Sequence, residues 1–299
     1  MPDRCLIAIV GATASGKTAV AIEAARRLPV EVVSADSRQL RAGMRIGTAA
    51  PTAEELTAVR HHLIGHVPPD APYSLADFLR EARAALDDIW ARGKQPLLVG
   101  GTGQYVWALL EGWQPPAVEP DPVLRAELET QTVEALHARL AALDAAAAAR
   151  VDARNPRRLI RAIEVALSGA PQAGAVPPDF TSCVIGLHWS REAIHARADA
   201  RTEAMYATGL VEETSDLLER YSPDLPALRT IGYAEAARVA SVEWDVPTAI
   251  ERTKIATHRL IRMQAAWFRA DDPRIDWLPG GDIQAAARAV ETASGARVG

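Results

Sequence analysis

Cysteine is scarce in this chain. Two occur in 299 residues, Cys5 and Cys183, and both lie in strand-like apolar runs. They read as small buried hydrophobes rather than a disulfide or metal pair. No Cys or His cluster has zinc-ligand spacing, and the adjacent His61-His62 would point in different directions on a helix or strand. Basic charge is not in excess either: 33 Lys and Arg stand against 38 Asp and Glu, a formal net charge of −5. A surface coated in positive charge for nucleic acid is thereby disfavoured, although a local basic groove is still open. No apolar stretch reaches the 18 residues of a membrane span. The N-terminal apolar run is too short for a signal sequence, so a cytoplasmic protein without membrane contact is expected. Hydrophobic residues make up 48%, ample for one large domain or two smaller ones.

The most informative stretch is Gly11-Ala12-Thr13-Ala14-Ser15-Gly16-Lys17-Thr18. It fits G-x-x-x-x-G-K-S/T, the phosphate-cradling loop. Apolar Cys5–Val10 precedes it as a buried strand, and an alanine-rich run from Ala19 to Leu28 follows as a helix. Strand, glycine loop and helix are the context the motif requires. Gly11 and Gly16 allow the turn that aims successive N–H groups at an anion, and the helix start adds partial positive charge. Lys17 supplies a full charge, and the Thr18 hydroxyl suits Mg²⁺. The motif specifies a polyphosphate site, not what becomes of the phosphate.

Strands are expected at 5–10, 30–34 and 96–99, with a helix from residue 17 to about 28 between the first two. Thr52 and Glu55 suggest a capping box, and Ser74 is placed to cap a helix to about Trp90. This alternation predicts an α/β fold: a P-loop-kinase-like three-layer core with a parallel sheet and helices on both faces. Ligands in such sheets bind beyond the carboxyl ends of the strands, where Gly11–Thr18, Ala35-Asp36-Ser37 and Gly100–Gly103 all fall. The pattern breaks at Gln114-Pro115-Pro116. An alanine-rich helical stretch follows, closed by a segment rich in Gly and Pro at 168–178. The expected division is a catalytic core of 1–116 and 179–299 with an inserted all-helical subdomain at 117–178. Strand character returns at 181–187. Helices continue to about 270, and an edge strand is expected at 275–278.

Asp36, at the end of the second strand, suits a general base, a magnesium ligand or a turn-former. The third strand ends in Gly-Gly-Thr-Gly rather than in the acidic residue usual for a phosphate-loop ATPase, which disfavours ordinary ATP hydrolysis. The glycines would bring bare backbone near a ligand or form a tight turn. Arg150, Arg154, Arg157, Arg158 and Arg161 crowd one stretch with only Asp152 opposing them. Arg252, Arg259, Arg262 and Arg269 share one helical face. Each set is either a solvated face or part of a polyanion groove. Trp267 and Phe268 are stacking surfaces or core. Arg197 and Arg201, four apart on a helix started by Ser190, would reach one phosphate.

Together these pieces resemble the tRNA dimethylallyltransferases, also called tRNA isopentenyltransferases. The resemblance covers almost the whole chain and rests on segments in a fixed order. These are GATASGKT (11–18), SADSRQL (34–40), GMRIGTAAP (43–51), HHLI (61–64), YSLADF (73–78), LLVGGTGQY (97–105), ALLEG (108–112), DPVLRAELE (121–129), NPRRLIRAIEV (155–165), TIGYAEA (230–236) and QAAWFR (264–269). It implies transfer of a dimethylallyl group from dimethylallyl diphosphate to N6 of the adenosine 3′-adjacent to the anticodon, in tRNAs reading codons that begin with U. The insertion would help grip the anticodon stem-loop, and the enzyme would act as a monomer with Mg²⁺.

By family position, Gly11 to Thr18 would hold the leaving diphosphate, with Thr18 on the metal. Asp36 would take the proton of the adenine amine. Thr102 would contact the reacting nucleotide, and Arg201 would add a diphosphate donor. Positions implied in tRNA contact are Asp36, Ser37, Arg38, Gln39, Thr102, Arg125, Arg157, Arg158, Arg161, Gly232, Tyr233, Arg262, Gln264 and Arg269. The target base would leave its stack to reach a buried tunnel. The chain departs from the usual pattern at Ala12, Arg41, Ala42, Arg45, Gly65 and Met263. The competing readings are a phosphate-loop small-molecule kinase, a non-catalytic nucleotide-binding module and an isopentenyltransferase of free adenylate. The insertion and the arginine sets favour tRNA over a free nucleotide. No C-terminal zinc motif appears, which points to a bacterial-type enzyme.

Overall fold

The computed structural model describes residues 4–170 and 174–295. Within the segment expected to close the insertion, 171–173 lie outside the described residues, as do 296–299 of the tail. The chain forms two compact units, Met1–Glu111 with Pro177–Gly299, and Gly112–Val176.

The larger unit opens with β1 (Cys5–Val10), α1 (Lys17–Ala25), β2 (Val30–Ser34), α2 (Ala53–Ala58), β3 (His61–His62), α3 (Leu75–Ala91), β4 (Gln95–Gly100) and α4 (Gly103–Leu110). The smaller unit follows with β5 (Trp113–Gln114), α5 (Pro122–Glu129), α6 (Val133–Leu143), α7 (Ala145–Arg150), α8 (Pro156–Ser168) and β6 (Gly174–Ala175). The chain then returns with β7 (Thr181–His188), α9 (Arg191–Ala207), α10 (Leu210–Leu218), α11 (Tyr233–Ala240), α12 (Val246–Trp267), β8 (Ile275–Pro279) and α13 (Ile283–Gly295).

Six strands form one parallel sheet in the order β3-β2-β4-β1-β7-β8. β1 lies inside it and is buried along its whole length, as its unbroken apolar run requires. Alternate residues serve opposite faces. Cys5, Ile7 and Ile9 pack with Val20, Ala21 and Ala24 of α1 and with Ala286 and Val290 of α13. The opposite face meets α3, which lies against β2 and β4, and α4, which lies against β4. Each fully buried Ile, Leu or Val contributes about 1.5–3 kcal/mol. The five expected strands are present, and β8 is at the expected edge. β3 is an additional strand of two residues, pairing with Val32 and Val33. Both expected capping arrangements form, Thr52 with Glu55 and Ser74 with Asp77.

Beyond the sheet's carboxyl edge, α9 to α12 build a second core around Met44, Tyr206, Leu210, Leu228 and Tyr233. The smaller unit has its own core of Leu128, Leu136, Leu140, Leu159, Ile160 and Ile163. Asn155 caps α8 and Gly169 ends it in the left-handed conformation, the usual pair of helix boundaries. The short strands β5 and β6 pair antiparallel, Trp113 opposite Ala175.

Candidate active site

The phosphate loop runs from the end of β1 into α1. Its turn needs left-handed backbone at Gly16 (φ 98°) and Ala14 (φ 64°) and a positive φ at Gly11 (143°). A glycine takes such angles freely, whereas Ala14 takes them at some cost. Lys17 curls back into the loop, its ammonium donating to the Gly11 and Ala12 carbonyls at 3.0 and 2.8 Å. Burial pushes the Lys17 pKa down to about 8; the Asp36 charge opposes that fall and Arg201 adds to it. Not every loop amide is free for an anion. The Thr13 N–H donates to Gln264 Oε1 at 2.7 Å, and Ser15 N–H to the Ala12 carbonyl at 3.2 Å.

Asp36 follows β2 directly. Its Oδ1 accepts from the Arg38 and Gln39 amides at 2.9 and 3.4 Å, so it does form a turn, and its carboxylate also faces the cavities described below. Thr102 joins this loop to the one after β4. Its Oγ1 accepts from the Ser37 N–H at 3.0 Å and its backbone N–H donates to the Ala35 carbonyl at 3.1 Å. The glycines here permit protein–protein approach. A Cβ on Gly100 would stand 2.2 Å from the Ala35 carbonyl oxygen, one on Gly101 2.3 Å from Gln264 Nε2, and one on Gly103 2.3 Å from Trp267 Cβ.

Two helices close over the loops. From α9, Arg197 donates to the Ala14 carbonyl at 2.9 Å and lies 4.4 Å over the Trp189 ring. Arg201, one turn on, donates to the Thr13 hydroxyl. Burial pushes the Arg201 pKa down while Asp36 holds it up. From α12, Gln264 reaches between the phosphate loop and the β4 loop, and Trp267 packs on Gly103. Two adjoining cavities result. One, of about 420 Å³, holds Ser15 to Thr18 and Arg197. The other, of about 280 Å³, extends past Thr102 and Gly232 to Thr253, Thr257 and Met263. Thr13, Asp36, Thr48, Arg201 and Gln264 line both.

The structure thus brings the loop residues Gly11 to Thr18 together with Asp36, Ser37, Arg38, Thr102, Arg201, Gly232 and Gln264. Other positions expected at tRNA are engaged internally. Tyr233 is fully buried, donating to Glu213 at 2.5 Å and accepting from the Gly47 N–H at 3.2 Å. Gln39 donates to the Ala49 carbonyl at 2.9 Å but also lines the phosphate-loop cavity. In the smaller unit, Arg125 binds the buried Glu164 carboxylate through two bonds of 2.7 and 2.8 Å, and Arg161 meets it at 3.2 Å. Arg157 and Arg158 are exposed. Arg269 lies beyond the end of α12 and pairs with Asp271 at 2.9 and 2.8 Å. It therefore does not share the helical face of the exposed Arg252, Arg259 and Arg262, as its spacing had suggested. Phe268 is buried core, while Trp267 lines the second cavity. Sequence reasoning missed the wall formed by Thr253, Thr257 and Leu260. Its signal was the stripe 253, 257, 260, 264, 267 along α12, at helical spacing.

Fold and site define a phosphate-loop α/β protein with a second cavity adjoining its anion cleft. The model of the IPP transferase family matches residues 39–271, and that described as isopentenyl transferase matches 5–66. The chain is 51% identical over 284 residues to the tRNA dimethylallyltransferase of Chloroflexus aurantiacus, covering 92% of this chain and 96% of the relative. It is 44% identical to that of Anaeromyxobacter dehalogenans, covering 96% and 99%. A crystal structure of the tRNA isopentenylpyrophosphate transferase of Bacillus halodurans superimposes with a TM-score of 0.73 at 34% identity, over 99% of this chain and 98% of that one. A eukaryotic dimethylallyltransferase acting on tRNA, 23% identical, shares the fold with a TM-score of 0.80, over 97% of this chain and 79% of its own. The chain belongs to the IPP transferase family.

Proposed function

We propose that this chain transfers the dimethylallyl group of dimethylallyl diphosphate to N6 of the adenosine 3′-adjacent to the anticodon, in tRNAs reading codons that begin with U. The observation that carries the reading is the pair of adjoining cavities with Asp36 and Arg201 in their common wall. The phosphate-loop cavity suits the diphosphate, and the second suits a base turned out of the anticodon loop. The names of the relatives support tRNA over a free adenylate or a kinase substrate.

In the reaction the C1–O bond breaks and its electron pair leaves on the diphosphate. The N6 lone pair forms the new N–C1 bond, and the N6 proton passes to the Asp36 carboxylate. Lys17, Arg201 and the free loop amides meet the negative charge that grows on the diphosphate. Thr102 and Ser37, bonded to one another, flank the path of the acceptor. Among the described residues no group of three or more His, Cys, Asp or Glu could hold a metal alone. The Thr18 hydroxyl in the phosphate cavity nevertheless fits Mg²⁺ that takes its remaining ligands from phosphate oxygens and water. Such an ion would neutralise diphosphate charge. Action on tRNA fits a cytoplasmic enzyme, and a monomer is the state proposed. Exposed Arg157 and Arg158 are the insertion's candidates for anticodon-stem phosphates.

The test is incubation with labelled dimethylallyl diphosphate, Mg²⁺ and unmodified tRNA, followed by nucleotide mapping. Label is expected at the adenosine 3′ of the anticodon and not on free AMP. Label on AMP alone, or none on tRNA, would overturn the reading.

A further inference from the structure

We propose that Gln264 is a positioning residue for the transfer, acting as a clasp that fixes the phosphate loop against the glycine turn after β4; this rests on the function proposed above. Its side chain is buried at 8% exposure, and both ends of its amide are used. Oε1 accepts from the Thr13 N–H at 2.7 Å and Nε2 donates to the Gly101 carbonyl at 3.0 Å. The two partners belong to different substrate halves. Thr13 stands in the loop that faces the leaving diphosphate, and Gly101 adjoins Thr102 on the acceptor side.

An amide suits this task because it donates and accepts at two atoms of one rigid plane. A carboxylate would only accept, and would meet the Gly101 carbonyl with like partial charge. An aliphatic chain would do neither. The site is shaped for this residue, since a Cβ on Gly101 would collide with Nε2 at 2.3 Å. One turn later Trp267 fills the space left by Gly103 in the same way. The end of α12 is thereby wedged against both sides of the reaction. Gln264 also lines both cavities at their common wall, so loosening it would shift the phosphate loop relative to the turn after β4, and with it the two substrate halves relative to one another.

The test compares Gln264→Met and Gln264→Glu with the wild type in single-turnover transfer, titrating dimethylallyl diphosphate and tRNA separately. For Gln264→Met the saturating rate should fall about 10²-fold, the scale of a misplacement near 1 Å. Half-saturating concentrations of both substrates should stay near wild type. Gln264→Glu reproduces the clasp only as the neutral acid, which both donates and accepts. Its rate, taken as a ratio to wild type, should rise as pH is lowered from 8 to 6. An unchanged saturating rate with a raised tRNA half-saturation would overturn the proposal and make Gln264 a direct tRNA contact. Should Gln264→Met not fold, the Gln264→Glu ratio decides, and a ratio flat in pH would overturn the clasp. A wild type that transfers nothing to tRNA would instead overturn the function reading, and the clasp with it.

Discussion

Replacing Asp36 by Asn separates its two duties. Oδ1 accepts from the Arg38 and Gln39 amides, and an asparagine oxygen can accept both. Each such bond is worth about 1 kcal/mol, so the melting temperature should hardly move. What disappears is the negative charge and the capacity to take the N6 proton. The loss of a general base should slow single-turnover transfer by roughly 10²–10⁴-fold at saturating substrates. A second effect follows from Lys17, whose pKa burial lowers to about 8 and the Asp36 charge holds up. Without that charge the ammonium form is less favoured and the pKa falls further. Diphosphate binds the protonated amine, so its affinity should decline at a lower pH in Asp36→Asn than in the wild type. Quenched-flow transfer and calorimetric titration of dimethylallyl diphosphate across pH 6–9 measure the two effects. A near-normal saturating rate would refute the base assignment. A diphosphate profile that does not move would refute the electrostatic link between Asp36 and Lys17.

Lys17→Ala should weaken dimethylallyl diphosphate binding with much less effect on tRNA binding; unchanged diphosphate titration would show that the loop serves another ligand. Arg157→Ala with Arg158→Ala should flatten the log–log salt dependence of tRNA binding by about 0.7–0.9 for each phosphate that the two arginines neutralise, with diphosphate affinity unaltered; an unchanged slope would leave both arginines as a solvated face. Burial pushes the Glu164 carboxyl up, but hydrogen bonds from Arg125, the Asp121 amide and Arg161 outweigh it and hold the pKa below its ordinary 4.5. The stabilisation is therefore fully present above about pH 4.5 and is lost as pH falls through the depressed value. Glu164→Ala should cost roughly 2 kcal/mol at pH 7, discounted from the buried-pair range because both arginines are about a third exposed; hydrogen exchange in residues 112–176 measures it, and wild-type protection would refute the estimate.

The sheet and the phosphate loop were legible because their signals are contiguous. An apolar run, a glycine pattern and a helix-permissive stretch lie side by side between Cys5 and Leu28. Asp36 and the glycines after β4 were legible by position, since strand ends in such a sheet converge. The reason for Gly101 and Gly103 was not, because the atoms that need the space belong to Gln264 and Trp267, far along the chain. The arginines of α8 show a different limit. Counting acids within 150–161 finds Asp152 alone, yet the neutralising carboxylate is Glu164, three residues after Arg161 on the same helix. Helical spacing made that pair readable, whereas the second partner, Arg125, comes from another helix and left no local trace. Tyr233 was misleading for a related reason. Its motif position suggests contact with a ligand, while its burial beneath Gly47 makes it a support for the loop that faces one.

The pairing of β5 with β6 makes the smaller unit modular. Trp113 stands opposite Ala175, so the chain leaves and re-enters at points about one strand spacing apart, close to 4.8 Å. Because that gap is closed by the unit's own hydrogen bonds, the larger unit pays no loop-closure entropy that grows with the length of what is inserted. A tight hairpin would satisfy the same boundary condition as four helices do. A change in the length or number of helices between Trp113 and Ala175 would therefore leave that boundary condition, and with it the chain path to the phosphate loop, Asp36 and Thr102, as it is.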